Sequence, residues 1–199
     1  MENTGSQTDG PGIIRAFIAI EINESIRVGL IETQEQLKKA DARVSWVQPQ
    51  NIHCTLVFLG DIFADMLDPV AAALNRAGIG FKPFEIEVAG LGFFGSSRFP
   101  RVIWAGMTDA AGPLIKLQND IAMAVSAAGL KPDRQEFKPH LTIGRVRSGR
   151  NAPELVKMIE KYADKSFGVF SVRQIVLMKS QLASGGPVYS LLHSAVLAG

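Results

Sequence analysis

The sequence predicts an α+β protein built as two similar lobes. Three observations carry that expectation. Strand-like and helix-like stretches alternate in the order β-α-β-β-α-β-β-α-β-α-β-β. Several neighbouring strands are joined by loops too short for a parallel crossover, so the sheets are expected to be largely antiparallel. A tetrapeptide pattern also occurs twice, as His53-Cys54-Thr55-Leu56 and as His140-Leu141-Thr142-Ile143, once in each half of the 199-residue chain.

Met1–Gly12 is polar, rich in Gly, Ser and Thr, and lacks the basic-then-apolar order of a signal peptide; it is expected to be a flexible leader. Ile13–Ile20 is short, apolar and β-branched, as in a buried strand. Asn23 is a good N-cap, and Ile26, Leu30, Thr33 and Leu37 recur at helical spacing, which predicts a helix over 24–40. Arg43–Val47 reads as a strand stopped by Pro49, and Ile52–Leu59 as the strand bearing the first motif. Gly60-Asp61 is expected to end that strand, with Asp61 or Asp65 starting a helix to about Ala77. Phe84–Val88 alternates as a strand, and the three glycines of Ala89–Gly95 suggest a twisted or bulged end. Ser96–Pro100 is a turn and Arg101–Met107 a strand. Gly112-Pro113 opens a helix that Gly129 ends, with Leu114, Leu117, Ile121 and Val125 on one face. Leu130–Pro139 is a charged loop before the second motif strand, His140–Val146. Pro153 opens a helix to about Tyr162, and Val169–Met178 and Val188–Leu197 read as two final strands.

Hydrophobic residues make up 47% and charged residues 20%, so the chain as a whole is expected to fold. The net charge of +2 argues against a strongly basic nucleic-acid coat but permits a local basic cleft. Cys54 is the single cysteine, so an intrachain disulfide and a cysteine-rich zinc site are excluded, and a cytoplasmic setting fits. No apolar run has the length of a membrane-spanning helix, which about 18 residues would require. No membrane association and no obligate protein partner are expected.

The repeated motif carries the chemistry. A strand has a period of two, so His53 and Thr55 share one face and Cys54 and Leu56 the other; His140 and Thr142 oppose Leu141 and Ile143 in the same way. If the halves face each other, two imidazoles and two hydroxyls meet. Histidine gives and takes protons near neutral pH. Cleaving a phosphodiester needs a base for the nucleophile and an acid for the departing oxygen. The threonine hydroxyls can donate to phosphoryl oxygens. This design needs no cofactor. Either copy alone reads more simply as a hydrogen-bonded strand histidine, but the two copies use two of only three histidines. A metal site is the competing reading; it would need a third ligand such as His193, and no carboxylate lies at ligand spacing beside either motif.

With these flanks the chain resembles the two-histidine (2H) phosphoesterases, and among them the LigT-like RNA 2′,3′-cyclic phosphodiesterases, once called 2′-5′ RNA ligases. The stretches that carry the resemblance are Arg15–Ile20, Trp46–Gly60, Arg101–Trp104 and Phe137–Arg145. The resemblance implies a two-lobed domain over 13–199, each lobe a mainly antiparallel sheet with helices outside, around a central cleft. It implies that water opens an RNA 2′,3′-cyclic phosphate to a 2′-phosphate. His53 maps to the proton donor and His140 to the acceptor, a division that the symmetry of the motif leaves open. Thr55 and Thr142 map to phosphate-binding threonines and Arg145 to a basic residue after the second motif. Cys54 stands where leucine is common, and is expected to face the core.

The remaining candidates have competing readings. Arg145 points away from the His140 face if its strand is regular, and a bulge at Gly144 would bring it round. Phe17 is a candidate for base stacking and also a candidate core residue. Tyr189 on the last strand is a candidate to approach the cleft. Arg98, Arg101, Arg147 and Arg150 are candidates for the cleft mouth, each weighed against a solvated surface charge. Trp46 and Trp104 read as packing residues and His193 as structural or exposed. Competing functions are reversible 2′-5′ RNA ligation, a non-catalytic RNA-end or nucleotide-binding module, and action on another small cyclic phosphate such as one from ADP-ribose.

Overall fold

Period-two patterns in the strands and period-3.6 patterns in the helices make one apolar face on each element, and the fold joins those faces. The computed structural model describes residues 12–109, 112–132 and 136–199. The leader, apart from Gly12, and part of the loop before the second motif lie outside the described residues. The elements are β1 (Ile13–Glu21), α1 (Glu24–Lys38), β2 (Val44–Trp46), β3 (His53–Phe63), α2 (Leu67–Ile79), β4 (Phe84–Ser96), β5 (Phe99–Thr108), α3 (Pro113–Ala127), β6 (His140–Val146), α4 (Ala152–Glu160), β7 (Ser166–Val172), β8 (Gln174–Ala183) and β9 (Gly186–Val196). Short 3-10 turns, Pro49–Asn51 and Ala64–Met66, precede β3 and α2.

Two antiparallel sheets result. One has the order β3-β1-β8-β9 and the other β2-β6-β5-β4-β7. The first therefore holds the strand that opens with His53, and the second the strand that opens with His140. The lobes are not the two halves of the sequence. The first sheet closes with β8 and β9 from the end of the chain, and the second borrows β2 from its beginning. The helices cross over as well: α1 packs against β7 and α4, whereas α3 packs against β3 and α2.

One strand expectation is corrected. Val169–Met178 is not a single strand. The chain breaks at Arg173, β7 pairs with β4 in the second sheet, and β8 pairs with β1 in the first. Both segments are rich in β-branched and apolar residues, and the polar pair Arg173-Gln174 marks the place where the chain passes from one sheet to the other. Another difference is the end of β3. Gly60-Asp61 does not stop it, because Gly60 takes a positive φ of 70° and pairing with β1 continues to Ile13 and Phe63.

Asn23 caps α1 as expected, its side chain accepting from the Ile26 N–H at 3.0 Å. Ile26, Leu30, Thr33 and Leu37 are buried, as are Leu114, Leu117, Ile121 and Val125 on α3. Burying each large aliphatic side chain contributes about 1.5–3 kcal/mol. This packing lies on the face of each motif strand that carries Cys54, Leu56, Leu141 and Ile143, all buried. The histidine faces are left to line the space between the sheets. No helix among the described residues is long and apolar enough to cross a membrane.

Candidate active site

Each motif histidine is the first residue of its strand and is tied back by its predecessor's backbone. His53 Nδ1 lies 2.8 Å from the Asn51 carbonyl, and His140 Nδ1 lies 2.6 Å from the Lys138 carbonyl. A carbonyl only accepts, so each Nδ1 carries the proton and donates it. The residue two places before each histidine thus fixes the ring in one tautomer and frees Nε2. In the first motif Nε2 meets the Thr55 hydroxyl at 3.0 Å.

The rings are framed differently. His53 stacks on Phe17 with centroids 4.8 Å apart and planes 22° from parallel, and the edge of Tyr189 meets it at 5.3 Å. His140 meets Phe94 edge-to-face at 5.0 Å, and Phe94 packs on Trp104 at 5.5 Å. Burial pushes the His53 imidazole down to about 4, helped by the charges of Arg145 and His140 and opposed by the Asn51 carbonyl. Burial also lowers His140, with Arg145 adding to it and the Lys138 carbonyl opposing. Burial raises the Tyr189 hydroxyl, and Arg145 opposes that shift.

Arg145 therefore acts on His53, His140 and Tyr189 together. An irregularity in β6 turns it to the histidine face: against β5, Trp104 pairs with Thr142 and Ile103 with Gly144, which leaves Ile143 as an extra residue. The bulge considered at Gly144 is found one residue earlier, at Ile143. Gly144 permits it, since a Cβ there would lie 2.9 Å from Val44 Cγ1 and 3.1 Å from the Trp46 ring. Thr142 and Thr55 are half-buried on the histidine faces.

Phe17, a candidate both for base stacking and for the core, is placed in the core against the site. It is 3% exposed, and its ring is covered by His53 and Tyr189, so it supports the imidazole and offers no open face. Tyr189 does reach the site. Cys54 is buried, with its thiol pushed up to about 12 by burial while contact with the His140 backbone opposes the shift; it joins the two motif strands from the core side. His193 meets Asn75 of α2 at 2.9 Å, away from the motifs. Among the surface arginines, Arg150 pairs with Asp41, Arg147 donates to the Ser45 hydroxyl at 2.8 Å, Arg98 lies over the Phe99 ring and Arg101 is exposed. Among the described residues, no three His, Cys, Asp or Glu side chains cluster as a metal would need.

Sequence reasoning missed three residues. Asn51 holds His53 through its carbonyl and donates from its side chain to Pro187 at 2.7 Å, which binds the start of β9 to the site. Phe94 borders His140, and nothing in its own glycine-rich strand marks it. Phe58 lies five places after His53, as Arg145 lies five places after His140, and laying one motif on the other exposes that match. Beside His53 a cavity of about 20 Å³, room for one water, is lined by Glu21, Arg27, Gln50 and Tyr189 among others.

The chain is similar to known proteins over most of its length. A protein of Methanothermobacter thermautotrophicus named RNA 2′,3′-cyclic phosphodiesterase is 34% identical over 177 residues, covering 89% of this chain and 95% of that one. A solved structure from Thermus thermophilus superposes with a TM-score of 0.78 at 26% identity, over 94% of this chain and 99% of that one. Escherichia coli LigT complexed with phosphate superposes with a TM-score of 0.71 at 25% identity, over 94% and 99%. The family model described as LigT like Phosphoesterase matches residues 20–104 and 106–189, one motif in each segment. By that match and by the relative's identity, the chain belongs to the LigT-like phosphoesterase family.

Proposed function

We propose that the protein uses water to open the 2′,3′-cyclic phosphate at the end of an RNA, leaving a 2′-phosphate and a free 3′-hydroxyl. One observation carries this reading: two histidines, one on each sheet, are held in the same tautomer with Nε2 unprotonated, and both feel the charge of Arg145. The names of the relatives supply the substrate class. His140 Nε2 takes a proton as water attacks phosphorus, and His53 gives a proton to the 3′-oxygen as the P–O3′ bond breaks. Thr55, Thr142 and Arg145 hold the phosphoryl oxygens as charge builds on them. No metal takes part. The lone Cys54 supports a cytoplasmic setting.

The depressed His53 constrains this division of labour. With its pKa at about 4, roughly one free molecule in a thousand carries the His53 proton at pH 7. The bound phosphate anion must therefore raise it. The same depression favours a second reading, in which neutral His53 is the base, His140 is the acid and the product is a 3′-phosphate. The deciding experiment is hydrolysis of an RNA ending in 2′,3′-cyclic phosphate, with the phosphate of the product located by NMR. A 2′-phosphate formed equally fast with chelator present is expected. His53→Ala and His140→Ala should each lose about 10²–10⁴-fold in rate. A 3′-phosphate would exchange the two roles. Turnover by His53→Ala at the wild-type rate would remove the acid–base pair altogether.

A further inference from the structure

Both motif strands carry the same irregularity. On β6 the extra residue is Ile143. On β3, Ala19 pairs with Thr55 and Ile18 with Val57, so Leu56 is the extra residue. Each bulge lies three places after the motif histidine. In a regular strand, the residue five places after the histidine would point to the core. With one extra residue it returns to the histidine face. That residue is Arg145 in one strand and Phe58 in the other. Phe58 pairs directly with Phe17 and is 52% exposed.

A bulged residue leaves the regular ladder, so its carbonyl needs other partners. Ile143 O accepts from the Val47 N–H at 3.0 Å and from Gln34 Nε2 at 2.8 Å. Gln34 sits on α1 and is 3% exposed. The same Nε2 donates to Val47 O at 2.9 Å, so one amide group clasps the bulge to the segment that follows β2. The first motif repeats the device more weakly: Gln118 of α3 donates to Leu56 O at 3.4 Å. Each bulge carbonyl is thus met by a glutamine from a helix, α1 for β6 and α3 for β3.

We infer that Gln34 is a positioning residue, whose amide holds the bulge of β6 and so keeps the Arg145 guanidinium turned toward His53 and His140. Gln118 does the same for Phe58 with a longer bond. The inference rests on the reading of Arg145 as the phosphate grip.

The test is a double-mutant cycle. Gln34→Met keeps the volume and removes both N–H donors. It should lose about 10- to 100-fold in kcat/KM on a 2′,3′-cyclic mononucleotide. In an Arg145→Ala background the same change should cost less than about twofold, because the residue it positions is gone. NMR titration of the histidine rings gives an activity-free readout: both rings should titrate higher in Gln34→Met and in Arg145→Ala, and no higher in the double variant. If Gln34→Met does not fold, Gln34→Asn, which keeps the amide but withdraws it by one carbon, replaces it. Equal losses in both backgrounds with unmoved titrations would make Gln34 a purely structural residue and overturn the inference. A wild type without turnover would overturn the phosphodiesterase reading instead, and the titrations would still decide where Arg145 is held.

Discussion

At the residue scale, the chemistry depends on which nitrogen of each imidazole faces the cleft. Two backbone carbonyls decide that, from Asn51 and Lys138. Because a carbonyl does this work, the residue types at those places carry no signal, and the tautomers could not be read from the sequence. The histidines and threonines could be read, because alternation on a strand puts them on one face whatever surrounds them. Their hydroxyls make a direct prediction. Thr142→Val keeps the shape and removes the donor, so kcat/KM on a cyclic nucleotide should fall by about 10²–10³-fold. Its thermal unfolding should stay near that of the wild type. An unchanged kcat/KM would remove Thr142 from the phosphate site.

At the element scale, the bulge of β6 matters more than the strand itself. Arg145 five places after His140 was ambiguous on sequence alone, since a regular strand sends it to the core face. The glycine between them was the clue, and packing explains it: β2 crosses so near that a Cβ on residue 144 would strike Val44 and Trp46. Gly144→Ala should therefore destabilise by about 1–3 kcal/mol in urea unfolding. Val44→Ala, which removes the nearer obstructing methyl, should recover part of that loss. Failure of Val44→Ala to recover any of it would place the strain elsewhere. The break at Arg173 was missed, because β7 and β8 are both rich in buried apolar residues and the sheet that each joins depends on distant partners.

At the scale of the whole molecule, closing the two sheets over the site makes folding sensitive to acid. The folded His53 holds its proton only below about pH 4, whereas an unfolded histidine titrates near 6.5. Between those values the unfolded chain binds more protons, so stability is fully present above 6.5 and is lost as pH falls toward 4. The loss attributable to His53 is up to about 3 kcal/mol. His140 shifts in the same direction and adds to it. Urea unfolding at a series of pH values should show this slope, and His53→Gln should flatten it; an equal slope in both proteins would refute the assignment. The sequence by itself determined the α+β class, the two motif strands and the face that each histidine occupies, because these follow from local periodicity and repetition. Only the tertiary structure decided that the lobes interleave, that Phe17 stacks beneath His53 and that the charge of Arg145 bears on both histidines. Those outcomes depend on strand partners, bulges and burial between residues far apart in the chain, and no local pattern records which distant backbone a strand will meet.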